Sequence, residues 1–229
     1  MSVPSNAPTR DEIVAAATDL VIERGYDKTT MRAIAERAGV SLGSAYYYFG
    51  GKEELIQGIY LRITDEHEAV ARQRMDGVKD FGKRLELCVG AYLDVSSRYR
   101  TISDSLLALA IVPTSSLSPF SPASAPSRER TMALYRDVVE GSDLKTDRQL
   151  RPELPNALWL MHMGITLAWV HDKSPNQQLT RGVLDKSLPA LDKLLRLGQV
   201  PLMRPFFKDA IAILKMLDGR GDHAGLVRA

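Results

Sequence analysis

The stretch Thr29–Glu54, TTMRAIAERAGVSLGSAYYYFGGKEE, holds two short helical patterns, a glycine between them and a third helix start. Met31, Ile34, Ala35 and Ala38 recur at the i, i+3, i+4, i+7 spacing of a helix with one buried stripe. Gly39 stands where a left-handed residue ends such a helix. Ser41 then offers a hydroxyl to cap the next helix, which has room for about two turns before Gly50-Gly51. Two short helices joined by a glycine-containing turn form a helix-turn-helix, a unit that holds its second helix in a DNA groove.

The flanks agree with that reading. Thr9-Arg10-Asp11-Glu12 matches a capping box, so a first helix is expected there, with the stripe Ile13, Ala16, Ala17, Leu20, Val21 and a stop at Gly25. Lys52-Glu53-Glu54-Leu55 opens a fourth helix with carboxylates in its first turn, where the helix dipole favours them. Lys52 runs against that preference and calls for a nearby anion, for which DNA phosphate is the candidate.

At this point the residues resemble the N-terminal signature of the TetR family of bacterial transcriptional regulators. The resemblance covers residues 9–57 and is carried by Arg10, Ile13, Ala16, Ala17, Gly25-Tyr26, Thr29-Thr30, Ile34-Ala35, Ala38-Gly39-Val40-Ser41, Gly43, Tyr46, Tyr48-Phe49 and Lys52-Glu53-Leu55. Two positions depart from it: Ala45 stands where the family usually has leucine, and Gly50-Gly51 replaces a more usual polar cap. Ala45 is expected to loosen the packing under the recognition helix, while Gly51 caps almost as well as serine.

Roles follow residue by residue. Ser41, Leu42, Gly43 and Ser44 occupy the base-reading end of the second helix, and Arg32 and Tyr47 are the larger readers, for a guanine and a thymine methyl. Thr30, Tyr46, Tyr48 and Lys52 are the phosphate contacts, which set register without reading sequence. Phe49 is expected in the core, and Glu36 and Arg37 on a solvated face.

Charge does not announce nucleic acid. The whole chain carries +2, and residues 1–60 hold six Lys/Arg against eight Asp/Glu, a balance of −2. Binding therefore depends on where the cations sit. With 229 residues, 45% of them hydrophobic, the chain is globular and has ample material for a core.

Cys88 is the single cysteine, so no internal disulfide forms, and its place on the stripe Phe81, Leu85, Cys88, Tyr92, Val95 makes it a small buried hydrophobe. The N-terminus lacks a signal-peptide pattern, and the longest apolar run, near residues 157–170, is too short for a bilayer and contains His162. A cytoplasmic protein with no membrane partner is expected.

Past residue 60 the periodicity stays helical, giving an all-α chain: a three-helix DNA-binding domain at 9–55 and a larger helical ligand-binding and dimerisation domain at 56–219. Helices are expected over 55–75, 81–98, 102–111, 128–139, 156–172, 179–197, kinked near Pro189, and 205–217. Pro113–Ser127, PTSSLSPFSPASAPS, has four prolines and six serines and reads as a disordered loop, with a ligand gate as the other option.

The helix at 156–172 is apolar on two faces, one of Leu158, Met161, Ile165 and Ala168, the other of Trp159, His162, Met163, Thr166 and Trp169. The next helix carries Leu184, Leu188, Leu191 and Leu195. The TetR resemblance implies that the Leu158 and Leu184 faces form a four-helix homodimer interface; the alternative is a monomeric core closed by the last helix. Tyr92, Leu106, Trp159, His162 and Met163 are the candidate contacts for a small, mostly apolar effector. His162, His67 and His171 read more readily as satisfied histidines than as ligands, and no sequence motif points to a metal, a cofactor or a catalytic constellation. The expected function is a non-enzymatic repressor released from a near-palindromic operator by its effector. A small-molecule-handling enzyme or sensor with a DNA tether, and a transcriptional activator, remain as alternatives.

Overall fold

The computed structural model describes residues 10–217, and all regular structure among them is helical. Thr9, the expected first cap, and Gly219, the expected domain end, lie outside the described residues. Ten α-helices follow in order: α1 Arg10–Arg24, α2 Met31–Ala38, α3 Leu42–Tyr48, α4 Lys52–Met75, α5 Phe81–Ser97, α6 Arg100–Ala110, α7 Ala125–Glu140, α8 Leu154–His171, α9 Gln178–Arg196 and α10 Arg204–Leu217. Each expected helix is present, with ends within three residues of the expected ones.

Local chemistry accounts for the short helices. Thr30 accepts from the Ala33 N–H at 3.2 Å and starts α2; Gly39, at φ 69°, ends it with its N–H on the last carbonyls. Ser41 accepts from the Ser44 N–H at 3.0 Å and starts α3. Glu54 in the first turn of α4 reaches back, and its Oε2 accepts from the Gly50 N–H at 2.7 Å, tying the preceding loop to the helix start.

The described residues form two compact units. One takes in those up to His67 together with Leu93–Arg128, the other Glu68–Tyr92 together with those from Glu129 onward. In the first, α1 packs on α2 and α6, and α2 on α3. Its core is Ile13, Val14, Leu20, Ile34, Ala45, Phe49, Leu55, Ile56 and Ile59, all nearly inaccessible to solvent. Ala45 is completely buried, so a small side chain here lets α3 approach closely. The Arg10 guanidinium lies 4.7 Å from the centre of the Phe49 ring.

Pro113–Ser127 is ordered, contrary to the expectation of disorder. Its backbone is a staircase of tight turns in which the N–H groups of Ser115, Ser118, Ser121 and Ser124 each bond the carbonyl three residues earlier. A 3₁₀ turn at Pro122–Ser124 leads straight into α7, which therefore begins at Ala125 instead of the expected Arg128. Leu117 and Ser124 are buried. Proline excludes a long ladder of backbone bonds here, but not short turns closed by serine hydroxyls.

In the second unit, arginines close helix ends. Arg84 donates to the carbonyls of Met75, Val78, Asp137 and Val138, and Arg151 to those of Val139 and Leu144, the arrangement favoured by the negative end of a helix dipole. The α8–α9 corner turns through Asn176 and Gln177, both left-handed at φ 52° and 53°. Asp172 holds that corner. Its carboxylate accepts from Ser174 N–H (2.8 Å) and Oγ (2.6 Å) and from Thr180 N–H (2.7 Å) and Oγ1 (2.8 Å). The Ser174 hydroxyl first, then the other donors, keep it far below the usual carboxylate range.

Candidate nucleic-acid interface and apolar cavity

The outward face of α3 is aromatic. Tyr47 is 84% exposed, Tyr46 50% and Leu42 42%, while Ala45 on the opposite side is fully buried. Tyr47 stands edge-on to Tyr48 with ring centres 5.4 Å apart. Ser41, Gly43 and Ser44 form the start of the helix, where Ser41 and Ser44 share a hydroxyl hydrogen bond of 2.8 Å. Ser41 and Gly43 are exposed and Ser44 is half-buried. Thr30, at the start of α2, is exposed, and because its oxygen serves the α2 cap only as an acceptor, its O–H remains able to donate.

The two cations proposed as DNA contacts sit in different settings. Arg32 projects from α2 with its side chain 81% exposed, in a loose ion pair with Glu36 at 3.2 Å, which exchanges readily for another anion. Lys52 is turned inward. Its ammonium donates to the carbonyls of Tyr26 (2.6 Å) and Thr29 (3.1 Å) and lies 3.7 Å from the centre of the Tyr26 ring. Partial burial pulls its pKa down from the ordinary lysine value. The negative partner sought for Lys52 is thus found within the chain, as two carbonyl oxygens and an aromatic face. Arg37 is exposed, as expected, and from there holds Glu23 of α1 through two hydrogen bonds of 2.9 and 2.7 Å. Sequence spacing carried no sign of either brace, since each partner lies 14 or more residues away.

Of the five effector candidates, Tyr92, Trp159, His162 and Met163 belong to the second unit, and Leu106 is buried in the first. His162 is a satisfied core histidine: its Nδ1 pairs with the Tyr135 hydroxyl at 3.1 Å, and its ring lies 4.0 Å from that of Tyr92. The Tyr92 hydroxyl meets Thr166 Oγ1 at 2.7 Å. Burial pushes the Tyr135 phenol well above its ordinary range and the Cys88 thiol up to about 12, so both are neutral at physiological pH.

A cavity of about 860 Å³ opens elsewhere in this unit, between α8, α9 and α10. It is lined by all eight residues expected at a dimer interface, Leu158, Met161, Ile165, Ala168, Leu184, Leu188, Leu191 and Leu195, and by none of the five effector candidates. Phe206, Phe207, Ala210 and Leu214 of α10 contribute to the same lining. Leu158, Ile165, Leu184, Leu188 and Leu195 are already buried within one chain, whereas Ala168, Leu179, Val183, Leu194 and Phe206 are exposed along the cavity's rim. Among the described residues no group of three or more His, Cys, Asp or Glu is placed to hold a metal ion, and no helix is long and apolar enough to cross a membrane.

Known proteins share both parts of the chain. Residues 13–59 match the bacterial regulatory proteins of the tetR family, and residues 84–212 match the C-terminal domain of tetracyclin repressor-like proteins. The HTH-type transcriptional regulator TtgR of Pseudomonas putida is 37% identical over 102 residues, 43% of this chain and 49% of TtgR. The HTH-type transcriptional activator FasR of Mycolicibacterium smegmatis is 34% identical over 97 residues, 41% of this chain and 44% of FasR. The chain thus spans about half the length of the curated relatives it matches. The crystal structure of a TetR transcriptional regulator from Nitrosomonas europaea is similar in fold, with a TM-score of 0.58 at 22% identity over 80% of this chain and 98% of that one.

Proposed function

The chain belongs to the TetR family of bacterial regulatory proteins, and from that premise we propose that it is a homodimeric, non-enzymatic transcriptional repressor of the cytoplasm, released from a near-palindromic operator by a small, mostly apolar effector. Residues 9–55 bind DNA, and residues 56–219 dimerise and take the effector. The observation that carries this reading is the capped α2–α3 pair with an exposed Leu42-Tyr46-Tyr47 face and exposed Ser41 and Gly43 at its start. Ser41, Leu42, Gly43, Ser44 and Tyr47 meet base edges in the major groove; Arg32 leaves Glu36 for a guanine; Thr30, Tyr46 and Tyr48 bond phosphates. Lys52 reaches a phosphate through its remaining N–H while keeping its two carbonyl partners.

Two-fold DNA sites call for two copies, and a second copy covers the open side of the α8–α9 groove. Within the expected interface set, Met161, Ala168 and Leu191 are the members that still have surface to offer; Leu179, Val183 and Leu194 extend the same rim. The buried members support the rim from beneath. For the effector, Tyr92 and His162 are the polar anchors and Trp159 and Met163 the apolar wall, with Thr166 and Tyr135 holding the two anchors until a ligand replaces those bonds. Coupling requires the effector to bind the released form more tightly than the DNA-bound form.

The name of FasR favours a second reading, activation, for the same DNA-binding machinery. Selection of duplexes from a random pool by the full chain tests the proposal. A recovered two-fold motif supports it, and Arg32→Ala then relaxes preference at one base pair per half-site, at a cost of about 1–3 kcal/mol for the favoured base. Recovery of no motif overturns the proposal, and footprinting relative to the promoter separates repression from activation.

A further inference from the structure

The first six residues of α4 face two ways. Towards α1–α3, Lys52 is bonded to Tyr26 and Thr29, and Glu54 to the Gly50 N–H. On a face one turn long, Glu53 and Gln57 hold the serine staircase instead. Ser116 Oγ donates to Glu53, and Gln57 Nε2 donates to the Ser116 carbonyl (2.6 Å) and to Ser124 Oγ (2.9 Å). Both of these Gln57 partners lie 59 or more residues away in sequence.

The staircase is closed upon itself. Ser121 Oγ donates to the same Ser116 carbonyl at 2.6 Å, and Arg128 donates to the carbonyls of Pro119 (2.7 Å) and Ser121 (3.2 Å). Leu117, 1% exposed, is its apolar anchor. With prolines at 113, 119 and 122 lacking N–H groups, side chains bear the attachment, so the strap has few ways to rearrange while Gln57 holds it.

We propose that Gln57, with Glu53 beside it, is a positioning residue for DNA reading: the 113–124 strap fixes the direction in which α4 enters the reading head, and thereby where α3 points. The proposal rests on the DNA-binding reading above. A dimer must present two α3 helices at the separation of successive major grooves, so loosening α4 costs specific binding while leaving phosphate attraction intact. The strap links the α6–α7 connection to the reading head by direct hydrogen bonds within one compact unit.

The test uses the full chain and a duplex selected in vitro by the wild type. Gln57→Leu keeps the volume and removes both donors; Gln57→Lys restores one donor to the Ser116 carbonyl. The expected result for Gln57→Leu is faster amide exchange over residues 115–124 and about tenfold weaker binding to the selected duplex, the size of one to two lost hydrogen bonds. Its affinity for poly(dI-dC) stays unchanged and its thermal midpoint shifts little, and Gln57→Lys recovers most of the loss. Faster exchange with selected-duplex affinity within about twofold of wild type would overturn the proposal, leaving the strap as packing only. So would a parallel loss of specific and non-specific binding together with the thermal midpoint. Should the wild type select no duplex at all, the DNA-binding reading fails and takes this proposal with it.

Discussion

The α2–α3 pair and the α8–α9 pair are both helix hairpins, yet they are fixed by different physics. Every turn in the first is settled by a neighbour within a few residues: Thr30 on Ala33, Gly39 at positive φ, Ser41 on Ser44. In the second, neither Glu153 before α8 nor Gln177 before α9 caps its helix, α9 follows two left-handed non-glycine residues, and its first N–H groups are taken by Ser174 and the buried Asp172 carboxylate from across the corner. The reading head is thus specified locally and is small and firm. The C-terminal pair is specified by burial and by one carboxylate that spans the corner, and it leaves an open apolar groove to share.

The comparison can be broken at either end. The largest effect is expected from Phe49→Ala, which empties a fully buried aromatic site under the reading head and should cost about 3–5 kcal/mol in urea unfolding. A loss below about 1 kcal/mol would mean that the head is not built around that ring. Asp172→Asn comes next, and its mark is in the pH dependence. Because the folded-state pKa of Asp172 is depressed, its stabilisation is fully present above the unfolded carboxylate value and is lost as pH falls through and below it. Wild-type urea midpoints should therefore drop towards acid more steeply than those of Asp172→Asn, and parallel curves would remove Asp172 as the corner's support.

Smaller effects sharpen the local half of the comparison. A Cβ at Gly58 would sit 2.7 Å from Val14 Cγ2, so Gly58→Ala should cost about 1–3 kcal/mol of overpacking, offset in part by better helix propensity. Adding Val14→Ala should give back part of that loss, a coupling readable in a double-mutant cycle. Thr30→Ala and Ser41→Ala should each cost about 1 kcal/mol. Gln177→Gly should be neutral to slightly stabilising, by less than about 1 kcal/mol, because glycine relieves a left-handed residue but gains unfolded-state entropy.

What was legible in the sequence follows the same division. Helix starts and stops came from residues such as Gly25, Gly39 and Ser41, whose chemistry acts within one turn, whereas the Thr30 cap of α2 was not read. The expected Phe49 core position and His162 as a satisfied histidine also held. The brace on Lys52 was not legible because its partners, the Tyr26 and Thr29 carbonyls, are main-chain atoms that no side-chain pattern displays. The strap was taken as disordered on composition, although serine at every third position from 115 to 127 is the spacing of consecutive tight turns. A helix apolar on two faces says that both are covered but not by what. That is why the Leu158 and Leu184 faces could be read as interface while the single chain brings them together with α10 around one cavity.

The central claim, two reading heads acting as a pair, is tested most directly by hydroxyl-radical footprinting of the wild-type chain on a duplex it has selected. The account predicts two protected half-sites on one face of the DNA, centred about 10–10.5 base pairs apart or a multiple of that, weakened together by Val183→Glu at the proposed dimer rim. A single protected half-site, unaffected by Val183→Glu, would contradict it.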